Sequence, residues 1–297
     1  MPSTVDDVLQ SWSMSIPVTL ALALTSSVYA IGWYRLRRAS DEAIGVRHLA
    51  AFGAAMVALG IAVGSPLEAF ADDLLSAHMV QHLLLMAVAP PLLLLGAPVQ
   101  PMLHGLPHGV VRGVLGPLLR LGPVKWLGHA LGTPWLCWLA GTATLIGWHL
   151  PVAFEFALRS EIWHDVEHVC FFATSLMFWW PVVLPRPSVA RWPRWTVPLY
   201  LFLGMLANDA LSAFLTFCDR VLYPSYASAP RFPISPLEDQ ALSGAIMWVA
   251  GTFVFLVPAV VVSLQILSPS GALPRRGHHP GPSATLRPAT NASVASG

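Results

Sequence analysis

Charge is scarce in this sequence. Asp, Glu, Lys and Arg make up 10% of its 297 residues, where a soluble domain carries about 25%. A water-soluble surface cannot be clothed with so few ionisable side chains, and no stretch outside the apolar runs is long enough to form a soluble domain of useful size. The formal net charge is +1, so nothing points to nucleic acid as a partner. Cysteine is also rare: Cys137, Cys170 and Cys218 form no CxxC motif. Cys137 falls within an apolar run and reads as packing, whereas Cys170 and Cys218 lie toward the same side and are in principle able to approach each other. No internal repeat is evident, which argues against an inverted-repeat transporter. Met1 to Ser15 holds Asp6 and Asp7 but no basic residue, and the first apolar run leads straight into Arg35-Leu36-Arg37-Arg38. A first helix that stays in place is expected here, not a cleavable signal.

Long hydrophobic runs take the place of all this: 55% of the residues are hydrophobic. Windows of about 19 residues give seven candidate spans. They run roughly Ile16 to Tyr34, Arg47 to Pro66, Leu75 to Leu95, Leu131 to Leu150, His164 to Leu184, Trp195 to Phe217 and Gln240 to Leu264. The expected fold class is all-α, a polytopic membrane bundle of seven helices. Its expected parts are a segment 1–15, a transmembrane domain 16–267 and a disordered tail 268–297 rich in Pro, Gly, Ser and Ala. The stretch 96–130 is amphipathic enough to lie along one membrane interface. The four prolines between Cys218 and Asp239 argue for an irregular but ordered cap.

Basic residues orient the bundle. Of 16 Lys and Arg, all but Arg159, Arg220 and Arg231 fall in the first, third and fifth loops and the tail. By the positive-inside rule that side is cytoplasmic, with the N-terminus outside and the C-terminus inside. Twelve of the 15 acids fall in the outer segments and reinforce the contrast.

Topology then sorts the histidines. His78 with His82, and His164 with His168, are pairs four residues apart, so each pair leaves one face of its helix. Both pairs lie in the first turns of helices that start at the outer side. His149, near the end of a helix running outward, reaches the same level, as do Glu68, Asp72, Asp73, Asp239 and Gln240. Polar groups in hydrocarbon are costly without partners, and a shared partner for several neutral imidazoles is a metal ion or a haem iron. The competing explanation is polar glue between helices, and His149 beside Trp148 and Pro151 fits a headgroup anchor equally well. Asp209 lies deeper. It suits a protonated structural acid, a ligand, or the partner that orients a histidine through its second nitrogen, and the last is favoured. Met79 and Met205 would suit a soft ion, although methionines in membrane helices commonly only pack. His164 to His168 also spells H-x-x-E-H, a pattern of soluble zinc proteases. Without a soluble domain it carries no protease meaning, but it leaves Glu167 placed to bind or orient. His48, His104, His108 and His129 fall on the inner side.

Several pieces recur in order: His78-Met79-Val80-Gln81-His82 ahead of a leucine run and Ala89-Pro90-Pro91; Trp148-His149-Leu150-Pro151; His164 to His168 leading into Phe178-Trp179-Trp180-Pro181; Asn208 with Asp209; and Glu238-Asp239-Gln240 with Gly244, Met247 and Trp248. Over residues 16–265 the chain thereby resembles the CtaG family of assembly factors for caa3-type cytochrome c oxidase. That resemblance implies a seven-helix protein of the bacterial inner membrane, not an enzyme, that matures the oxidase by supplying copper to one of its subunits. The expected metal site is His78, His82, His149, His164, His168 and Asp209. Copper is named because an oxidase needs it; these ligand types do not separate it from zinc. The alternatives are a membrane-embedded zinc hydrolase built on the same cluster, a bis-histidine cytochrome, and a copper permease.

Overall fold

The computed structural model describes residues 16–39, 44–183, 192–227 and 232–268. The segment 1–15 and the tail from 269 onward lie outside the described residues. Those described are overwhelmingly helical, with no strand among them. In chain order they form α1 (Ile16–Ala39), α2 (Val46–Gly64), the short α3 (Pro66–Ala71), α4 (Leu75–Leu95), α5 (Val99–Gly105), α6 (108–118), α7 (Gly122–Leu131), α8 (Pro134–His149), α9 (Pro151–Leu158), α10 (Glu161–Val183), α11 (Thr196–Phe217) and α12 (Pro236–Leu267). Six helices, α1, α2, α4, α10, α11 and α12, are long and apolar enough to cross a membrane, and α8 with α9 makes a seventh candidate bent by 74°. The chain is therefore a polytopic helical membrane protein. The exposed flanks carry Leu20, Leu24, Phe253 and Val257, as lipid-facing surfaces must.

Proline positions explain the irregularities. Pro151 cannot continue α8, and it forces Leu150 into extended backbone at φ −64°, ψ 130°, so the expected fourth span ends at His149 and turns. In α4, Pro90 and Pro91 supply no N–H, and residues 84–88 just before them widen into a π turn. The Met86 carbonyl loses its usual donor at Pro90 and accepts instead from the Ser175 hydroxyl of α10. In hydrocarbon such a carbonyl would otherwise stay unpaired at a cost.

Packing builds a bundle in which α11 runs along α12, α8 along α10, and α4 lies between α2, α10 and α12. Two close approaches depend on glycine. A Cβ on Gly32 would overlap the Pro101 carbonyl of α5, and a Cβ on Gly251 would overlap the Asn208 side chain. The first approach draws α5 onto α1, so the stretch expected to lie along the interface is docked at its start and exposed from 108 onward. At the other end of the bundle, described residues 218–227 form the expected cap. Leu222 N–H donates to Gln240 Oε1 at 2.7 Å, and Gln240 Nε2 returns a bond to the Arg220 carbonyl at 3.0 Å.

Candidate metal centre

The histidine end is assembled by cross-helix bonds. Leu74, before α4, offers no side-chain cap. The Asp239 carboxylate of α12 takes that place, accepting from Leu75 N at 2.7 Å and Ser76 N at 3.1 Å. Such charge-assisted bonds are roughly twice as strong as neutral ones, and the helix N-terminus adds a favourable partial charge. Asp239 is in turn placed by the capping box of Ser235 and Glu238 that starts α12. The first turns of α4 are thereby fixed against α12, and His78 and His82 follow on one face.

These two rings meet those of α10. Ring centroids lie 4.3 Å apart for His78 and His82, 5.2 Å for His78 and His164, 5.4 Å for His82 and His168, and 4.2 Å for His164 and His168. Two ligand sets arise in which one donor atom per residue falls within 4.8 Å of the others: His78, His82 and His168; and His78, His164 and Glu167. His149 stands at the edge, its ring 5.9 Å from that of His82. The inner part is dry, with residual exposure of 1% for His78, 2% for His82, 3% for His149 and 0% for Glu167, whereas His164 and His168 are half-buried. Phe154 and Phe171 wall the cluster, at 5.2 Å from His78 and 4.6 Å from His82.

For two of the rings, hydrogen bonds decide which nitrogen carries a lone pair. The Tyr226 hydroxyl has one hydrogen, which it donates to the Ala71 carbonyl at 3.0 Å. At His78 Nδ1, 2.9 Å away, it therefore accepts. His78 Nδ1 carries the proton, and Nε2 turns a lone pair into the cluster. His149 Nδ1 lies 2.7 Å from the Leu145 carbonyl, which only accepts, so His149 too keeps its lone pair on Nε2. Tyr223, three residues before Tyr226, donates to the His149 carbonyl that the Pro151 break sets free, at 2.8 Å.

The facing atoms have no protein partner. Nε2 of His78, His82, His149, His164 and His168, Nδ1 of His82 and both Glu167 oxygens are buried without a hydrogen bond; the approach of His82 Nε2 to Glu167 Oε1 is 3.9 Å. Buried polar atoms are nearly always bonded, and a glue role would require it. Five inward Nε2 atoms, two of them held as lone pairs, beside a carboxylate are a donor set that suits a metal ion.

The five expected histidines are thus brought together, His149 more loosely than the rest. Asp209 is not. Its Oδ1 accepts from Asn208 Nδ2 at 3.2 Å and Thr252 Oγ1 at 3.4 Å, because it faces α12 and not α4 or α10. The orienting role expected of it belongs to Tyr226 and the Leu145 carbonyl. Glu167 enters one ligand set directly, and its position three residues after His164 is the signal for it in the sequence. Tyr223 and Tyr226 had none. The three cysteines enter neither ligand set and form no disulfide. Asp72, exposed at the rim, lies close enough for its charge to act on His164.

Beneath His82 and His149 a cavity of about 70 Å³ continues into the bundle, reaching Phe178, Trp179 and Phe255.

Sequence comparison bears on this site. The profile of the cytochrome c oxidase caa3 assembly factor family matches residues 27–268. An uncharacterized protein of Mycobacterium bovis and one of Mycobacterium tuberculosis are each 27% identical over 262 residues, 83% of this chain and 38% of the relative. One of Mycobacterium leprae is 26% identical over 260 residues, 81% of this chain and 36% of the relative. The chain therefore spans well under half the length of these relatives. No solved structure matches it.

Proposed function

The chain belongs to the cytochrome c oxidase caa3 assembly factor family, and from that premise we propose that its histidine cluster receives a copper ion and hands it to an oxidase subunit, without turning over a substrate. The observation that carries this reading is the set of five buried Nε2 atoms without a protein partner at one end of the bundle. Copper is the cargo. Tyr226 holds His78 with its lone pair inward, the Leu145 carbonyl does the same for His149, and Phe154 and Phe171 keep water from competing. Glu167 offsets the cation's charge. Two overlapping ligand sets that share His78 let an ion pass from one to the other by exchanging ligands singly, which suits uptake and release better than permanent storage.

The site lies at the periplasmic level of a bacterial inner membrane in this reading. The support is the split of basic residues, with Arg35, Arg37, Arg38, Arg112, Arg120 and Lys125 all at the opposite end. Reporter fusions after Arg38 should read cytoplasmic and a fusion at Ser225 external; the reverse pattern would place the cluster on the wrong side.

One observation favours a second reading. A buried carboxylate with both oxygens unpartnered beside three imidazoles is also the equipment of a zinc hydrolase. The two readings part on what leaves the site. Oxidase purified from cells whose assembly factor carries His168→Ala should lack copper, and the isolated wild-type factor should bind copper and transfer it to the apo-oxidase. An oxidase with full copper in the variant background would sink the delivery reading and leave the hydrolase.

A further inference from the structure

We propose that the cavity beneath the cluster is a second cation position, selective for a soft monovalent ion, with His82 as the residue that serves both positions. This rests on the reading of the cluster as a metal centre and concerns a place that neither ligand set includes. The cavity is lined by Met79 and Met86 of α4, Met247 of α12, the rings of His82 and His149, and Asn208.

Three features set it apart from a packing defect. First, His149 is absent from both ligand sets, yet its Nε2 is buried without a partner on the cavity wall and its Nδ1 is engaged at Leu145. Second, His82 has both ring nitrogens unpartnered. A neutral imidazole offers one lone pair at a time, so His82 ligates above or below but not both. When it turns to the lower position, His78, His164 and Glu167 still make a complete upper set. Third, three thioethers line a space that flexible methionines would ordinarily collapse to fill. The volume of about 70 Å³ is several times the roughly 10–15 Å³ that holds one water.

Donor chemistry sets the selectivity. Thioether and imidazole favour Cu(I), whereas carboxylate and imidazole also suit Zn(II). The lower position offers no anionic ligand among its lining residues. Desolvation cost rises with the square of the charge, so a divalent ion loses more there than a monovalent one. Phe178, Trp179 and Phe255 form the part of the lining farthest from the imidazoles, and they offer no ligand atom to which an ion could pass on. An ion held there leaves by the way it came.

The test is a titration of the purified full-length protein under reducing conditions with Ag(I), and separately with Zn(II), the bound metal being counted after dialysis. Two Ag(I) and one Zn(II) are expected for the wild type. Met79→Leu with Met247→Leu keeps volume and shape, a kind of exchange that costs little. It should lower Ag(I) from two to one and leave Zn(II) at one. A wild type that takes one Ag(I), or a double variant that still takes two, overturns the lower position while the upper one stands. A protein that binds neither ion overturns the metal centre itself, and the lower position with it.

Discussion

The two ends of the bundle are built from the same apolar helices and could hardly differ more inside. At the aromatic end, Phe178 meets Trp179, Tyr200 and Phe255 at centroid distances of 5.6, 4.8 and 5.6 Å, and Trp179 lies nearly parallel to Phe255 at 13°. The Tyr200 hydroxyl is satisfied by the Phe178 carbonyl at 2.8 Å. At the histidine end, imidazoles and a carboxylate are buried just as deeply with their reactive atoms unbonded. Each such atom costs about 1–3 kcal/mol where nothing binds it. One end carries the stability that the other spends on keeping lone pairs available. The contrast also sets direction, since the packed aromatics stop an ion that the imidazoles admit.

The contrast can be broken at either end. The largest effect should follow His82→Ala or His168→Ala: complete loss of oxidase maturation, read as oxidase activity in membranes, with the factor still inserted at wild-type abundance on an immunoblot. Loss of abundance instead would make the histidines structural. Next, Phe178→Ala should destabilise the fold by about 3–5 kcal/mol, seen as a lower unfolding midpoint in detergent, while the metal stoichiometry of the folded fraction stays unchanged. A variant that folds normally but loses metal would erase the division of labour. Tyr226→Phe frees His78 to choose its tautomer, and metal affinity should fall about 10–100-fold with little change in stability. Smallest of all, Asp209→Asn should cost about 0.6 kcal/mol, the average for a hydrogen bond between membrane helices, and leave metal binding intact. Metal loss there would return Asp209 to the site.

Hydropathy made the spans legible because crossing a membrane demands length and apolarity, both of which are local. Leu75–Leu95 agrees to the residue; the fourth span, expected over Leu131 to Leu150, is Pro134–His149, and its bent continuation Pro151–Leu158 is the part hydropathy does not give. A window average registers that residues beyond His149 are apolar but not that Pro151 redirects them. The four paired histidines were legible for a similar reason: spacing fixes the face within one helix, and alternation of direction fixes the level. Neither fixes azimuth. Asp209 was placed at a suitable depth, and only packing reveals that it looks toward Thr252. Tyr226 was out of reach altogether, since its bond to His78 joins residues 148 apart in sequence. Contacts of that range follow from how the cap folds over the bundle, and no periodicity encodes them.

The bend after His149 has a consequence for the lipid. α8 has 16 residues, a rise of about 24 Å at 1.5 Å per residue, against a hydrocarbon layer of about 30 Å. α9 then turns aside by 74° and adds little height. Thinning is one way a bilayer meets a short helix, and here it would bring headgroups down toward His149 in the sector that α8, α9 and α10 share. His164, half-buried at the start of α10 beside the exposed Asp72, stands in that same sector, so a protein that exchanges an ion with this one would need to penetrate the leaflet least there.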